Sequence, residues 1–264
     1  MQKILLDLGE HYVSDFLTNP EQEYNGREKS PLTLIMDEKI GAPRLTKTVD
    51  PDKMYGKYWY HSGTNASMTR QLKDIALEIS DRINHKKGDL WLDIACNDGT
   101  MFRFIPNDFI KLGIDPVEDS FLDMSSGLAD SVVQDYFSYE AFQKTGYGNK
   151  KCKVITTIAM FYDLDDPTDF IKDVHNILED DGVWVIQISY TPLMAKQIAF
   201  DNICHEHVYY HSLSSIKKLL EPFGFKIVDC SLNDTNGGSC RIYLQKSEAR
   251  KESFATKPLR DVCS

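Results

Sequence analysis

Hydrophobic residues recur along this chain at spacings that change from segment to segment. Between residues 64 and 84 they return every three or four positions, which is the spacing of one face of an amphipathic helix. Thr64 or Asn65 can cap the start of this helix, and the run 85–88 suits its end. The pattern therefore predicts a helix over residues 64–84.

Beyond this helix, short apolar runs alternate with helical segments. Strands are predicted over residues 90–95, 111–115, 131–134, 153–158 and 182–189, with helical segments around residues 100–105, 117–124, 139–145 and 166–178. Such alternation is typical of a parallel sheet that is covered on both faces.

The last part of the pattern differs, because two strand-like runs follow each other without a helix. A helix over residues 214–220 precedes the runs 225–230 and 240–245, and the turn-rich segment 233–238 joins these two. They should be antiparallel neighbours. The order resembles a class I methyltransferase, so the predicted fold class is α/β with a Rossmann-like, seven-stranded sheet.

The chain divides into three predicted regions. Residues 1–64 lack strong periodicity and are rich in turn-forming residues, which predicts a small irregular N-terminal cap. Residues 65–247 form the predicted main domain, and residues 248–264 form a C-terminal tail.

Composition and charge narrow the kinds of partner. The formal net charge is −10 and the basic residues form no cluster, which argues against a nucleic-acid substrate. No apolar stretch is long enough to span a membrane, and the start of the chain lacks the features of a signal peptide. The six cysteines form no C-x-x-C pair. We expect a small-molecule substrate, no nucleic acid, no membrane and a cytoplasmic location.

The turn after the first strand of the main domain is the candidate cofactor loop, because ligands in open α/β sheets bind at the carboxyl ends of strands. It resembles the acid-x-Gly-x-Gly-x-Gly turn of class I methyltransferases, with Asp93 as the acid and Ala95 and Asn97 in the first two glycine positions. Alanine is small and asparagine tolerates positive φ. Gly99 is predicted to pass close to the ligand. The G-x-G-x-x-G pattern of dehydrogenases is absent, which leaves that activity a distant alternative.

Side chains after the next three strands complete the predicted cofactor site. Asp115 can accept hydrogen bonds from ribose hydroxyls, and Asp135, Tyr136 and Phe137 suit the edge and face of adenine. Met160 is predicted beside the methionine part. Alternatively, the acids cap helices or lie in solvated loops, and Met160 belongs to the core. We predict S-adenosylmethionine as the cofactor.

The most distinctive segment, residues 201–212, reads D-N-I-C-H-E-H-V-Y-Y-H-S and holds three of the seven histidines. One interpretation is a metal site, since imidazole and thiolate bind zinc, although the H-E-x-x-H spacing is absent. A second is a solvated loop of polar residues with ordinary partners. A third is a general-base site, because imidazole titrates near neutral pH.

Four segments, residues 48–68, 92–102, 201–212 and 236–244, resemble the sugar C-methyltransferase family, and the opening run 5–17 resembles that family's first strand and turn. Its members methylate nucleotide-linked 4-keto-deoxysugars at carbon 3. The resemblance covers nearly the whole chain and implies His207 as the base. It also implies that Glu206 orients His207 or binds a substrate hydroxyl or amine, and that Tyr58 and Tyr60 face the substrate.

The chain departs from that family in several places. Members carry an N-terminal zinc module, whereas no cysteine precedes Cys96 here, so we expect no metal. Members often have tyrosine where this chain has Cys204. They also continue into a further Rossmann-like domain that helps hold the nucleotide, while this sequence stops at Ser264. A truncated product, a reduced enzyme and a protein partner in place of that domain are the open explanations.

Two further alternatives follow from these departures. The cofactor segment alone suits an O- or N-methyltransferase equally well, and a non-catalytic, methyltransferase-like partner subunit would also retain it. Arg241 is either a phosphate-binding residue or a surface arginine on the last strand.

Overall fold

The computed structural model describes residues 3–13, 28–55, 60–249 and 254–255. In chain order its strands are β1 (Ile4–Tyr12), β2 (Lys29–Asp37), β3 (Ala42–Leu45), β4 (Leu90–Ile94), β5 (Ile110–Ile114), β6 (Ser131–Val133), β7 (Cys152–Ile158), β8 (Leu178–Ser189), β9 (Phe225–Asn233) and β10 (Ser239–Lys246). Its α-helices are α1 (Pro51–Tyr55), α2 (Ala66–Arg82), α3 (Asp119–Ser126), α4 (Tyr139–Phe142), α5 (Thr168–Ile177), α6 (Thr191–Gln197) and α7 (Leu213–Leu220).

The main sheet has seven strands in the order β6-β5-β4-β7-β8-β10-β9. The first five are parallel, and β10 runs antiparallel to both β8 and β9. This arrangement confirms the predicted fold class, including the antiparallel final pair. The chain moves outward from β4 to β6 and then returns to β7 on the other side of β4. A ligand crevice is therefore expected at the carboxyl ends of β4 and β7.

Two apolar layers cover the sheet because neighbouring side chains of a strand point to opposite faces. Leu92 and Trp184 belong to one buried cluster, whereas Trp91 and Val185 belong to the other. The predicted helix α2 lies in the second layer. The Asn65 side chain caps it by accepting from the amides of Ser67 and Met68.

The N-terminal region is more regular than the sequence predicted. Strands β1, β2 and β3 form an antiparallel three-stranded sheet. In β2 the side chains of Leu32 and Leu34 are buried, while Pro31 and Thr33 beside them are more exposed. Every residue of β1 is exposed. Because neither face of this strand is buried, its hydrophobic and polar residues do not alternate as those of a half-buried strand do. The described part of the N-terminal region is therefore not the irregular cap that the sequence predicted.

Two predicted helices are shorter than expected. The segment after β4 forms only a 3₁₀ turn, Thr100–Arg103, and α4 gives way to a wide turn in which Gly146 has a φ of 83°. Strand β8 starts earlier than predicted, with a register shift against β7 between Cys152 and Val154. Among the described residues, no helix is both long and apolar enough to cross a membrane. Most of the predicted tail 248–264 lies outside the described residues.

Candidate active site

The loop after β4 keeps the left-handed backbone of a glycine-rich turn although two of its three glycines are replaced. Ala95, Asn97 and Gly99 have φ values of 60°, 52° and 72°. This region is uncommon for residues with a side chain, and asparagine is enriched there. The loop conformation therefore agrees with the alignment of these positions to the three family glycines.

The carboxyl group of Asp115, just beyond β5, is hydrogen-bonded to this loop. Its two oxygens accept hydrogen bonds from the amides of Asn97 at 2.7 Å and Val117 at 3.0 Å. Burial raises the pKa of Asp115, and the two amide bonds oppose that effect. Each oxygen has a second lone pair. The group therefore fits the predicted role of accepting hydrogen bonds from ribose hydroxyls.

Asp93 lies beneath the loop, where it contacts the neighbouring strand. One oxygen accepts from the Thr156 hydroxyl at 2.6 Å, and that hydroxyl accepts from the Trp91 indole at 3.2 Å. Burial raises the pKa of Asp93 to about 7. The described contacts make Asp93 a support of the loop, and direct contact with the cofactor stays a prediction.

The packing explains why Gly99 has no side chain. A Cβ atom there would lie 2.8 Å from the Cα atom of Ser125 in α3 and 3.0 Å from the Phe102 ring. The backbone at Gly99 thus passes close to helix α3, which leaves no room for a side chain. Its predicted approach to the ligand stays a prediction.

Residues 60–63, just before α2, are bound to the cofactor loop. The side-chain amide of Asn97 donates through Nδ2 to the Tyr60 carbonyl at 2.9 Å and accepts through Oδ1 from the backbone amide of Ser62 at 3.0 Å. Asp98, which is fully buried, accepts from the Gly63 amide at 2.8 Å. The structure thus brings Tyr60 to the cofactor loop and adds Asp98, which the sequence did not single out. Tyr58 lies outside the described residues.

Asp135 and Tyr136 follow β6 at the same edge of the sheet. Asp135 forms an ion pair with Lys144 at 2.6 Å, which holds its pKa below the usual range. The Tyr136 hydroxyl donates to Asp52 of α1 at 2.8 Å, and the residue is 44% exposed. Tyr136 thus keeps exposed surface that an adenine ring could contact.

Phe137 and Met160 both pack against the core. The Phe137 ring lies edge-on to Phe170, with 4.9 Å between ring centres. Met160 is partly buried beside the same cluster, to which Phe161 belongs as a fully buried member. Phe137 therefore contacts the core, and its predicted place on the face of adenine stays a prediction. The cofactor contact of Met160 stays a prediction.

The small N-terminal sheet holds the histidine segment through its backbone. The Leu45 amide donates to the Val208 carbonyl at 2.9 Å, and the Tyr210 amide donates to the Pro43 carbonyl at 2.9 Å. These bonds continue the edge of β3 into residues 208–210. The small sheet therefore fixes the position of the segment that carries the candidate base.

The three histidines of this segment have different surroundings. His205 is buried, and its Nε2–H donates to the Ser30 carbonyl at 3.0 Å. His211 is also buried, contacts the Ser215 hydroxyl at 3.2 Å, and has its pKa lowered to about 4 by burial. Both side chains have structural partners. His207, which is partly exposed, differs from them in being accessible.

The hydrogen bond of His207 determines which of its nitrogens is free. Nδ1 lies 2.8 Å from the carbonyl oxygen of Asn202. A carbonyl oxygen only accepts, so Nδ1 carries the proton and the neutral ring keeps its lone pair on Nε2. The ring is fixed further by Tyr162, whose centre lies 4.5 Å away in an edge-on contact. Glu206 lies beside it, and burial raises the pKa of that carboxyl.

The turn between β9 and β10 meets the histidine segment. A Cβ atom on Gly237 would lie 3.6 Å from the Asn202 amide nitrogen, and the Gly238 carbonyl accepts from the Tyr190 amide at 3.0 Å. Gly238 has a φ of 119°, which side chains rarely adopt. Two segments that resemble the sugar C-methyltransferases, 201–212 and 236–244, therefore contact each other.

Arg241 fits neither of its two sequence interpretations. It is 2% exposed, and its guanidinium forms ion pairs with Glu78 at 2.5 Å and with Asp74 at 2.9 Å. A buried arginine with two carboxylate partners is a structural link between β10 and α2. It is neither a surface residue nor open to a phosphate.

The strand order and the left-handed loop held by Asp115 define a class I methyltransferase that depends on S-adenosylmethionine. The model of the methyltransferase domain family matches residues 64–229, and the chain belongs to that family. The residues of the loop fit this cofactor, because Asp115 offers acceptors for its ribose and Tyr136 an exposed ring.

Comparison with individual proteins gives more distant likenesses. C-methyltransferase NovU of Streptomyces niveus is 22% identical over 249 residues, which cover 94% of this chain and 59% of that protein. The chain thus spans about three fifths of the length of this relative. The cyclopropane synthase MmaA2 of Mycobacterium tuberculosis has a TM-score of 0.51 at 15% identity, covering 75% of this chain and 92% of that one.

Two further solved structures share the fold. An S-adenosylmethionine-dependent methyltransferase of Clostridium acetobutylicum has a TM-score of 0.50 at 15% identity, covering 67% of this chain and 92% of that one. The plantazolicin methyltransferase BamL, solved with S-adenosylhomocysteine, has a TM-score of 0.50 at 11% identity over 68% of this chain and 84% of its own. At these identities the likeness concerns the fold alone.

Proposed function

We propose that this enzyme transfers a methyl group to carbon, with a nucleotide-linked 4-keto-deoxysugar as its substrate and His207 as its base. The observation that carries the proposal is the bond from His207 Nδ1 to the Asn202 carbonyl, because it leaves Nε2 unprotonated. The resemblance of residues 201–212 to the sugar C-methyltransferases and the similarity of the chain to C-methyltransferase NovU support the choice of carbon.

Carbon is a poor nucleophile until a proton is removed beside a carbonyl group. His207 Nε2 takes that proton, and the ring becomes a cation whose Nδ1–H stays bound to Asn202. S-adenosylmethionine, when bound, supplies a methyl group on a positively charged sulfur. The electron pair left on the substrate carbon would attack that methyl group, and the sulfur would leave as a neutral thioether. Glu206 stabilises the charged imidazole, since the two side chains are electrostatic neighbours.

We also propose which residues contact the cofactor and the substrate. The cofactor's ribose is assigned to Asp115 and its adenine to the region of Asp135 and Tyr136. Tyr60 is assigned to the substrate side on the family resemblance, and its carbonyl accepts a hydrogen bond from the cofactor loop.

The test is an incubation with methyl-labelled S-adenosylmethionine and a panel of nucleotide-linked 4-keto-deoxysugars in D₂O. We expect a product one methyl group heavier, with the label on the carbon beside the ketone and deuterium exchanged at that carbon. A label on oxygen or nitrogen would show an O- or N-methyltransferase and refute carbon transfer. A matched substrate that is already methylated at this carbon is the control.

We also propose a protein partner that contributes contacts to the nucleotide part of the substrate. The chain spans 59% of the length of its relative NovU. Calorimetry would then show cofactor binding by the chain alone, with methyl transfer appearing only after the partner is added.

A further inference from the structure

Two buried polar groups in the neighbourhood of His207 keep hydrogen-bonding positions unused in the part of the chain that the structure describes. They are Oδ1 of Asp163 and the hydroxyl of Tyr210, which is 5% exposed as a residue. A buried polar group without a partner costs about 1–3 kcal/mol, so such atoms are rare in folded proteins. Finding two together indicates a place where another molecule supplies the missing bonds.

Asp163 is held in place by contacts that leave this oxygen free. It ends the short 3₁₀ turn Phe161–Asp163 after β7, and its amide donates to the Met160 carbonyl at 2.9 Å. The Tyr55 hydroxyl of α1 hydrogen-bonds to its carboxyl group, and the charges of His207 and Glu206 act on that group. The carboxyl is therefore a neighbour of the candidate base.

Tyr210 reaches the same place from the other side. Its ring packs in a cluster with Leu32, Leu34 and Leu45 of the small sheet, and the bond from its amide to Pro43 fixes its backbone. The amide of Tyr209 donates to the Tyr162 carbonyl at 2.9 Å, which brings the neighbouring residues Tyr210 and Asp163 together. The Cys204 backbone hydrogen-bonds to the oxygen of the Tyr210 hydroxyl, which leaves the hydroxyl free to donate, and the charge of Asp163 acts on it. The two side chains thus face one polar environment.

We propose that Asp163 and Tyr210 form a subsite that binds a hydroxyl group of the substrate. A hydroxyl both accepts and donates, so it can accept from Tyr210 while it donates to Asp163 Oδ1. An alkyl group or a hydrogen in its place satisfies neither atom. The inference rests on the proposed function for the substrate's class, and it narrows that class to sugars that carry a free hydroxyl at the position facing this subsite.

The first test needs no substrate. A buried polar side chain that is retained for ligand binding lowers the stability of the protein when no ligand is bound. Asp163→Asn retains an acceptor for Tyr55 but removes the buried acid, so we expect its melting temperature to rise. The matched control is Asp229→Asn, which alters a buried carboxyl that pairs with Arg82. This control should melt at a lower temperature. A fall in Asp163→Asn similar to that of the control would overturn the subsite, whatever the enzyme's substrate.

The second test compares two nucleotide-linked 4-keto sugars that differ by one ring hydroxyl. Wild type should prefer the hydroxylated member by about 10- to 100-fold in kcat/KM, and Asp163→Leu and Tyr210→Phe should lose that preference. An unchanged preference in both variants would overturn the proposal. If no keto sugar is turned over while Asp163→Asn is stabilised, the proposed function fails and the polar subsite stands for another hydroxyl-bearing substrate.

Discussion

Three buried carboxyl groups around the site are held in different ways, and the differences determine what each can do. Asp115 accepts two backbone amides, Asp93 accepts one hydroxyl, and Asp163 keeps one oxygen without a partner among the described residues. Burial raises the pKa of all three. Asp115 is thus suited to shaping the loop, Asp93 to supporting it, and Asp163 to meeting a ligand.

Asp93 should make the stability of the protein depend on pH. Its pKa rises from 3.8 to about 7 on folding, so between these values the native state keeps a proton that the unfolded state has lost. The free energy of unfolding therefore falls as the pH rises through this window. Urea denaturation at about pH 5 and about pH 7.5 should show a smaller fall in Asp93→Asn than in wild type. Equal falls would contradict a raised pKa at this carboxyl.

At the scale of elements, the histidine segment depends on the small N-terminal sheet. Its residues 208 and 210 pair with β3, and His205 donates to the Ser30 carbonyl in β2. The sheet therefore acts as a platform for His207, although its strands contribute no candidate catalytic side chain in the described part of the chain.

Replacing the two neighbouring histidines should separate support from chemistry. His205→Ala removes a buried ring and its hydrogen bond to the Ser30 carbonyl, so we expect the free energy of unfolding to fall by about 1–3 kcal/mol. His207→Ala affects a partly exposed ring and should cost less. Denaturant titration measures both. Equal losses, or a larger loss in His207→Ala, would contradict the assigned roles.

The elements of the main sheet were predictable because buried parallel strands form continuous apolar runs and helices repeat at three or four positions. The cofactor loop was recognisable from Asp93 and Gly99 despite the replaced glycines. The hydrophobic pattern did not reveal the small sheet, because the exposed β1 carries no alternation, and only the family resemblance of residues 5–17 indicated its first strand. Asp163 was also missed, since a single aspartate in D-L-D-D-P gives no sign that its oxygen is buried.

At the scale of the whole molecule, helix α1 links the two halves of the site. Asp52 binds Tyr136 on the cofactor side, and Tyr55 binds Asp163 on the substrate side. At the end of α2, Arg82 pairs with Asp229 and Glu78 and donates to the carbonyl of Ala255. The first set serves the site, and the second holds the sheet, α2 and the later chain together.

The second set should matter for stability alone. Arg82→Met leaves the buried Asp229 carboxylate without its cation, so we expect a loss of about 3–5 kcal/mol in the free energy of unfolding. Lys172→Met, which breaks the exposed pair with Asp169, is the control and should cost under about 1 kcal/mol. Calorimetry should find the affinity for S-adenosylmethionine unchanged in the folded Arg82→Met protein. A weakened affinity would contradict the separation of the two sets.

The central claim is that His207 removes a proton from the carbon that receives the methyl group. The most direct measurement is methyl transfer from labelled S-adenosylmethionine by wild type and His207→Ala, with cofactor affinity measured by calorimetry on the same preparations. We predict that His207→Ala loses transfer by about 100-fold or more while its affinity for the cofactor is retained. Undiminished transfer in His207→Ala would contradict the assignment of the base.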